Sequence, residues 1–147
     1  MSKINIPQSI ERIGTCLFDG DSSLASVDVP GEVLGTVGSH LFFNLNGKLF
    51  GISIPGNNTS TNFIIPQSVS SIEDGAFYGC NSISEVEIPT SVKRIGKEAF
   101  SGCSSLHKII IPPSVTAIEP YTFSDCKTLS SVFLPTSITE IGDGAFL

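Results

Sequence analysis

A 23-residue segment that recurs without a gap constrains this chain more than any other feature. From Ile65 the sequence reads IPQSVSSIEDGAFYGCNSISEVE, then IPTSVKRIGKEAFSGCSSLHKII, IPPSVTAIEPYTFSDCKTLSSVF and LPTSITEIGDGAFL, unbroken over 83 residues. The stretch from Ile6 to Asp28, IPQSIERIGTCLFDGDSSLASVD, is a further copy of the same pattern. A period of this length specifies stacked coils. One coil carries an apolar side that it cannot bury alone, so like residues must stack on like residues in the coils above and below.

Aligning the copies exposes the columns. Ile6, Ile65, Ile88, Ile111 and Leu134 are each followed by a proline, Pro7, Pro66, Pro89, Pro112 and Pro135. Next come Ile10, Val69, Val92, Val115 and Ile138, then Ile13, Ile72, Ile95, Ile118 and Ile141. A phenylalanine ladder follows at Phe18, Phe77, Phe100, Phe123 and Phe146, then Leu24, Ile83, Leu106 and Leu129, and last Val27, Val86, Ile109 and Val132. The spacing Leu106-x-x-Ile109-x-Ile111 alternates like a strand, with Ile109 and Ile111 inward and Lys108 and Ile110 outward. Proline straight after the strand ends the ladder, since it has no N–H to give. Parallel strands are therefore expected near 84–88, 107–111 and 130–134. Val115 and Ile118 mark a second short inward-facing segment, and Gly75 to Cys80 reads as one turn of helix or 3₁₀.

The pattern I-P-x-S-V-x-x-I-x-x-x-A-F-x-x-C-x-x-L resembles the BspA-type (Treponema pallidum-type) leucine-rich repeat, over about 106 of the 147 residues. The resemblance implies an α/β leucine-rich-repeat solenoid: a parallel β-sheet on one face, short strands and helical turns on the other. It implies a non-enzymatic protein-binding module for adhesion or host recognition, at the cell surface or secreted, since such proteins are typically surface-associated in bacteria and parasitic protists. The whole chain, 1–147, is expected to be one domain. Its repeats are 6–28, 65–87, 88–110, 111–133 and a partial 134–147, with an irregular stretch at 29–64.

In that stretch Val29-Pro30 opens like a repeat, and Val33, Val37, Leu41 and Phe42 fit its apolar columns with one inserted residue. Asn46-Gly47 between two apolar runs then signals a hairpin, because both central turn positions need positive φ. Ile54-Pro55 resembles a repeat start, but Ile65-Pro66 follows too soon for a parallel crossover between them. Either one long coil carries an inserted hairpin, roughly 41–55, or two repeat blocks meet at a break. The last repeat ends on the apolar Gly144-Ala145-Phe146-Leu147, whereas solenoid ends carry polar caps. Further chain or another copy is expected to cover it.

Composition removes several function classes. The net charge is −6, and the eight Lys and Arg are scattered, without the basic patch or stripe of a nucleic-acid binder. The start, Met1 to Pro7, has no apolar run of a secretory signal, and no stretch approaches transmembrane length. Cys80, Cys103 and Cys126 share one column. Three thiols cannot pair off, and no CxxC or histidine cluster completes a zinc site, so small apolar core thiols are expected, with Cys16 apart from them. Asp19-Gly20-Asp21-Ser22-Ser23 opens like a calcium loop but has Leu24 where the EF-hand needs glycine and Pro30 where it needs glutamate. A turn is the simpler reading. His40 and His107 are the only histidines, and there is no nucleophile elbow, phosphate loop or dinucleotide fingerprint. No cofactor or active site is expected. Asn57-Asn58-Thr59 and Asn58-Thr59-Ser60 are sequons that mark a solvated loop.

The outward sheet positions remain: one column is Asn62, Glu85, Lys108 and Ser131, the next Ile64, Glu87, Ile110 and Phe133. Ile110 beside Phe133 makes an exposed apolar pair, the mark of a recognition surface. Plain β-propensity, or burial in a dimer, explains the same pair. An unidentified protein partner on this face is one reading of the chain. An intracellular scaffold that associates with itself through the face or the open repeat end is the other.

Overall fold

The computed structural model describes residues 3–14, 26–58 and 61–147, with the side chains of 38–39 and 54–58 outside that description. Cys16, Phe18, Leu24, the proposed turn at 19–23 and the last sequon residues, Thr59 and Ser60, lie outside the described residues. The chain runs through β1 (Lys3–Asn5), β2 (Ser26–Asp28), β3 (Glu32–Leu45), β4 (Lys48–Asn58), β5 (Asn62–Ile64) and β6 (Ser71–Ile72). It continues through β7 (Glu85–Glu87), β8 (Arg94–Ile95), β9 (Lys108–Ile110), β10 (Ala117–Ile118), β11 (Ser131–Phe133) and β12 (Glu140–Ile141).

The result is a β-solenoid. One face is a four-stranded parallel sheet in the order β11–β9–β7–β5, in which Asn62 pairs with Glu85, Glu85 with Lys108 and Lys108 with Ser131. Each step in the register is 23 residues. β1 and β2 repeat the same step as a separate pair, Lys3 with Ser26. In β5, β7 and β9 the central residues, Phe63, Val86 and Ile109, are buried and their neighbours exposed. Period-two alternation therefore sets which side chains reach the core and which remain on the face. The second line holds β6 beside β8 and β10 beside β12, burying Ile72, Ile95 and Ile118.

A third line of stacking replaces the expected turn of helix. The described residues contain no helix, and 74–79, 97–102 and 120–125 are runs of turns. In the first run the amides of Ala76, Tyr78 and Cys80 bond three residues back, to Glu73, Gly75 and Phe77. The intervening amides, Gly75, Phe77 and Gly79, donate to Lys97, Ala99 and Ser101 of the next coil. Half the amides thus leave the segment, which a helix cannot allow. Turning them outward needs left-handed residues, and positions 75, 98, 121 and 144 all have φ between 57° and 66°. Glycine fills the first and last at little cost; Glu98 and Tyr121 pay a steric penalty there.

Residues 29–58 depart from the coil expected to begin at Val29-Pro30. β3 and β4 form one long antiparallel hairpin, Glu32 to Asn58, wider than the 41–55 expected. Its turn is Asn46-Gly47, with φ of 55° and 82°, as the Asn-Gly signal requires. The return strand also serves the solenoid, since Lys48 and Leu49 pair in parallel with Ser71 and Ile72, again 23 residues on. The hairpin separates two cores. On one side Val37, Phe42 and Leu49 join the column residues of 63–123. On the other, Phe43, Leu45, Phe50 and Ile52 pack with Leu41 against Ile4, Ile6, Ile10, Ile13 and Val27 of the first coil. Val33, expected in a coil column, is exposed instead. Gly51 is required by proximity, because a Cβ there would overlap the carbonyl oxygen of Ala76.

Rings run through the larger core. Phe77, Phe100, Phe123 and Phe146 stack nearly parallel at 4.8, 5.5 and 5.6 Å between centroids. Phe42 of the hairpin closes the near end, 4.5 Å from Phe77.

Candidate binding face

All eight outward positions read from the sequence lie on the one sheet: Asn62 and Ile64 on β5, Glu85 and Glu87 on β7, Lys108 and Ile110 on β9, Ser131 and Phe133 on β11. Seven are exposed, while Ser131 is half-buried. Ile64 is 69% exposed, Ile110 56% and Phe133 53%. Register places Phe133 directly beside Ile110. The Lys108 ammonium lies 5.3 Å from the centre of the Phe133 ring, a cation–π contact that holds the charge over β11.

The sheet is not uniform. β5 with β7 and β9 with β11 each pair at three positions, but β7 with β9 pairs at one, Glu85 with Lys108. Beyond the strands, Ile65 N–H donates to Glu87 O and Ile111 N–H to Phe133 O, both at 3.0 Å. Among the described residues the matching bond from Ile88 to Ile110 does not form. Where the two strands part, a groove of about 500 Å³ opens between Glu85 and Glu87 on one lip and Lys108 and Ile110 on the other. Its walls continue into Ile88, Thr90, Ile111, Pro112 and Pro113. That volume falls within the usual range of ligand clefts. Four of the eight predicted positions line the groove; Asn62, Ile64, Ser131 and Phe133 lie outside it. The loop residues Thr90, Pro112 and Pro113 were not among the positions expected from the sequence. Their only signal there is Pro113, where the other copies have Gln8, Gln67, Thr90 and Thr136.

The remaining reactive groups have structural partners. Cys103 Sγ–H donates to Phe77 O at 3.2 Å and Cys126 Sγ–H to Phe100 O at 3.0 Å, and all three column cysteines are free thiols. Burial raises the Cys80 thiol to about 12, against partial relief from the backbone at Ile83 and Ser82. Burial likewise raises Cys126 to about 11. Such thiols are poor nucleophiles and poor metal ligands. Buried His40 donates from Nε2 to Tyr78 O at 3.0 Å, while His107 is exposed. Among the described residues no three His, Cys, Asp or Glu converge as a metal site would need. On the second line Arg94 joins three coils, 2.8 Å from Asp74 and 3.7 Å from Glu119.

This architecture is shared with solved bacterial proteins. A leucine-rich cell surface protein from Faecalibacterium prausnitzii is 31% identical with a TM-score of 0.70, the match covering 99% of this chain and 39% of that one. The leucine-rich repeat protein of T. pallidum is 27% identical with a TM-score of 0.57, over 68% of this chain and 59% of that one. The pneumococcal vaccine antigen PcpA, 24% identical, has the same fold at a TM-score of 0.68, over 97% of this chain and 35% of that one. The chain thus spans about a third to three-fifths of these proteins. No curated protein matches it. The family model for the BspA-type leucine-rich repeat region matches residues 1–62 and 56–147 in six copies. The chain belongs to the BspA-type leucine-rich repeat family.

Proposed function

We propose that this protein is a non-enzymatic recognition module that binds another protein through its strand face, at the cell surface. The observation that carries the reading is the exposed pair Ile110 and Phe133, adjacent in register and flanked by Glu87 and Lys108. Protein interfaces place apolar, often aromatic anchors inside a polar rim. Neither side chain is needed by the core beneath, where Ile109 is already fully buried. The surface location draws on the F. prausnitzii relative, described as a cell surface protein. Adhesion is the corresponding role. Nucleic acid is a poor fit to a net charge of −6, and no cofactor has a part in this reading.

The test is capture of a partner from the native environment by the wild-type chain, the Ile110→Asp/Phe133→Asp double variant and a control, Lys93→Asp, away from the face. Loss of capture by the double variant alone is expected. Equal capture by all three overturns the strand-face reading. A second reading, an assembly module that associates with itself, draws on the same exposed pair, Ile110 and Phe133. Oligomers that grow with concentration in the absence of any other protein would favour it.

A further inference from the structure

We infer that the groove between β7 and β9 takes an extended segment of a partner protein in which basic side chains alternate with aliphatic ones. This rests on the strand-face reading and adds the chemistry of the occupant. The two lips differ in kind. The β7 lip carries Glu85 and Glu87, both exposed and, two residues apart on one face, about 7 Å from each other. Neither carboxylate has an ion-pair partner among the described residues. The cation nearest in register, Lys108, is held over the Phe133 ring on the far side of β9. Its ammonium is thus drawn toward β11 and forms no ion pair with either β7 carboxylate. The opposite lip is Ile110 with Lys108 beside it, and the walls below are Ile88, Ile111, Pro112 and Pro113. The prolines bring no N–H donor to the groove.

Two carboxylates against one lysine leave the groove net acidic beside an apolar wall, which selects a chain that presents the complement of both. In an extended segment side chains i and i+2 share a face at the same spacing as Glu85 and Glu87. Two arginines or lysines can therefore meet both carboxylates. The aliphatic side chain between them is available to the groove beside Ile110. Backbone groups are also open to such a segment, since the ladder between Ile88 and Ile110 is unmade. The overall charge of −6 favours approach of a basic chain and disfavours an acidic one.

The experiment is an NMR titration of the whole protein with three capped peptides: Gly-Arg-Ile-Arg-Ile-Gly, its acidic counterpart Gly-Glu-Ile-Glu-Ile-Gly, and the apolar-deleted Gly-Arg-Ser-Arg-Ser-Gly. The first is expected to shift the amides of 85–88 and 108–111 saturably, and to bind less well at about 0.5 M salt. Glu85→Gln/Glu87→Gln, at exposed positions that leave the fold intact, should weaken it at least about tenfold. Comparable binding of either control, unmoved groove amides, or shifts confined to another surface overturns the inference. If the peptide fails while Ile110→Asp/Phe133→Asp still abolishes partner capture, the occupant is wrong and the face right. If the double variant also captures normally, both fall.

Discussion

One column of isoleucines runs through two regions with very different consequences. In the block from 61 onward Ile72 is fully buried and Ile95 and Ile118 are 1% exposed. Ile13 of the first coil, in the equivalent position, is half-buried against the hairpin, and Ile141 of the last coil is 55% exposed. The side chain and its place in the repeat are the same in each. What differs is the number of neighbouring coils, because a repeat buries its apolar columns only between two others. The hairpin supplies the missing neighbour on one side of each block, with Phe42 facing the larger core and Phe43 the smaller.

The largest test of that contrast is Phe100→Ala against Phe146→Ala. Phe100 is sandwiched between Phe77 and Phe123 and should cost about 3–5 kcal/mol in urea unfolding. Phe146 stacks on one side only and should cost under about half of that. Equal losses would break the account of burial by neighbours.

Next is alkaline unfolding. A buried thiol raised to about 12, against the usual 9.0, is neutral in both states below pH 9, so no stability change arises there. Above pH 9 the unfolded thiol ionises and the folded one does not, so stability is lost as pH rises toward 12. The Cys80 contribution should amount to about 1.4 kcal/mol per pH unit in that window, read as the difference between wild type and Cys80→Ala. For Cys126, raised to about 11, the window is shorter and the loss smaller. Identical pH profiles for the two alanine variants would contradict the different burial of the two thiols.

A smaller effect sharpens the turn ladder. Glu98 holds φ at 57° where other coils have Gly75 and Gly144. Glu98→Gly should stabilise by about 1 kcal/mol in thermal or urea unfolding. No gain would mean that the left-handed conformation is not strained at this position.

Much of this was legible beforehand, and for one reason: stacking copies a signal. The Ile-Pro columns placed strands at 84–88, 107–111 and 130–134, and they occupy 85–87, 108–110 and 131–133. Asn46-Gly47 announced the hairpin turn because backbone handedness there is a local property. The turn ladder was misread as a helical turn because its alternate amides bond to another coil, which no short window of sequence contains. Leu49 does keep the 23-residue step to Ile72, but without an Ile-Pro opening that membership was not apparent. The outward residues were read correctly as positions. The groove was not, because it depends on how far two strands part, and the residues of β7 and β9 are ordinary members of their columns.

On the proposed reading the strand face is for recognition and the columns beneath it are for stability. Phe133→Ala separates the two roles, with affinity for the captured partner and melting temperature measured on the same variant. Because Phe133 is half out of the sheet, its loss should change stability by under about 1 kcal/mol, the scale of its contact with Lys108. Binding should weaken by about 1–2 kcal/mol, roughly five- to thirtyfold. A large fall in melting temperature in a verified monomer would make Phe133 a core residue. Unchanged affinity in a normally folded variant would place recognition elsewhere and contradict the claim.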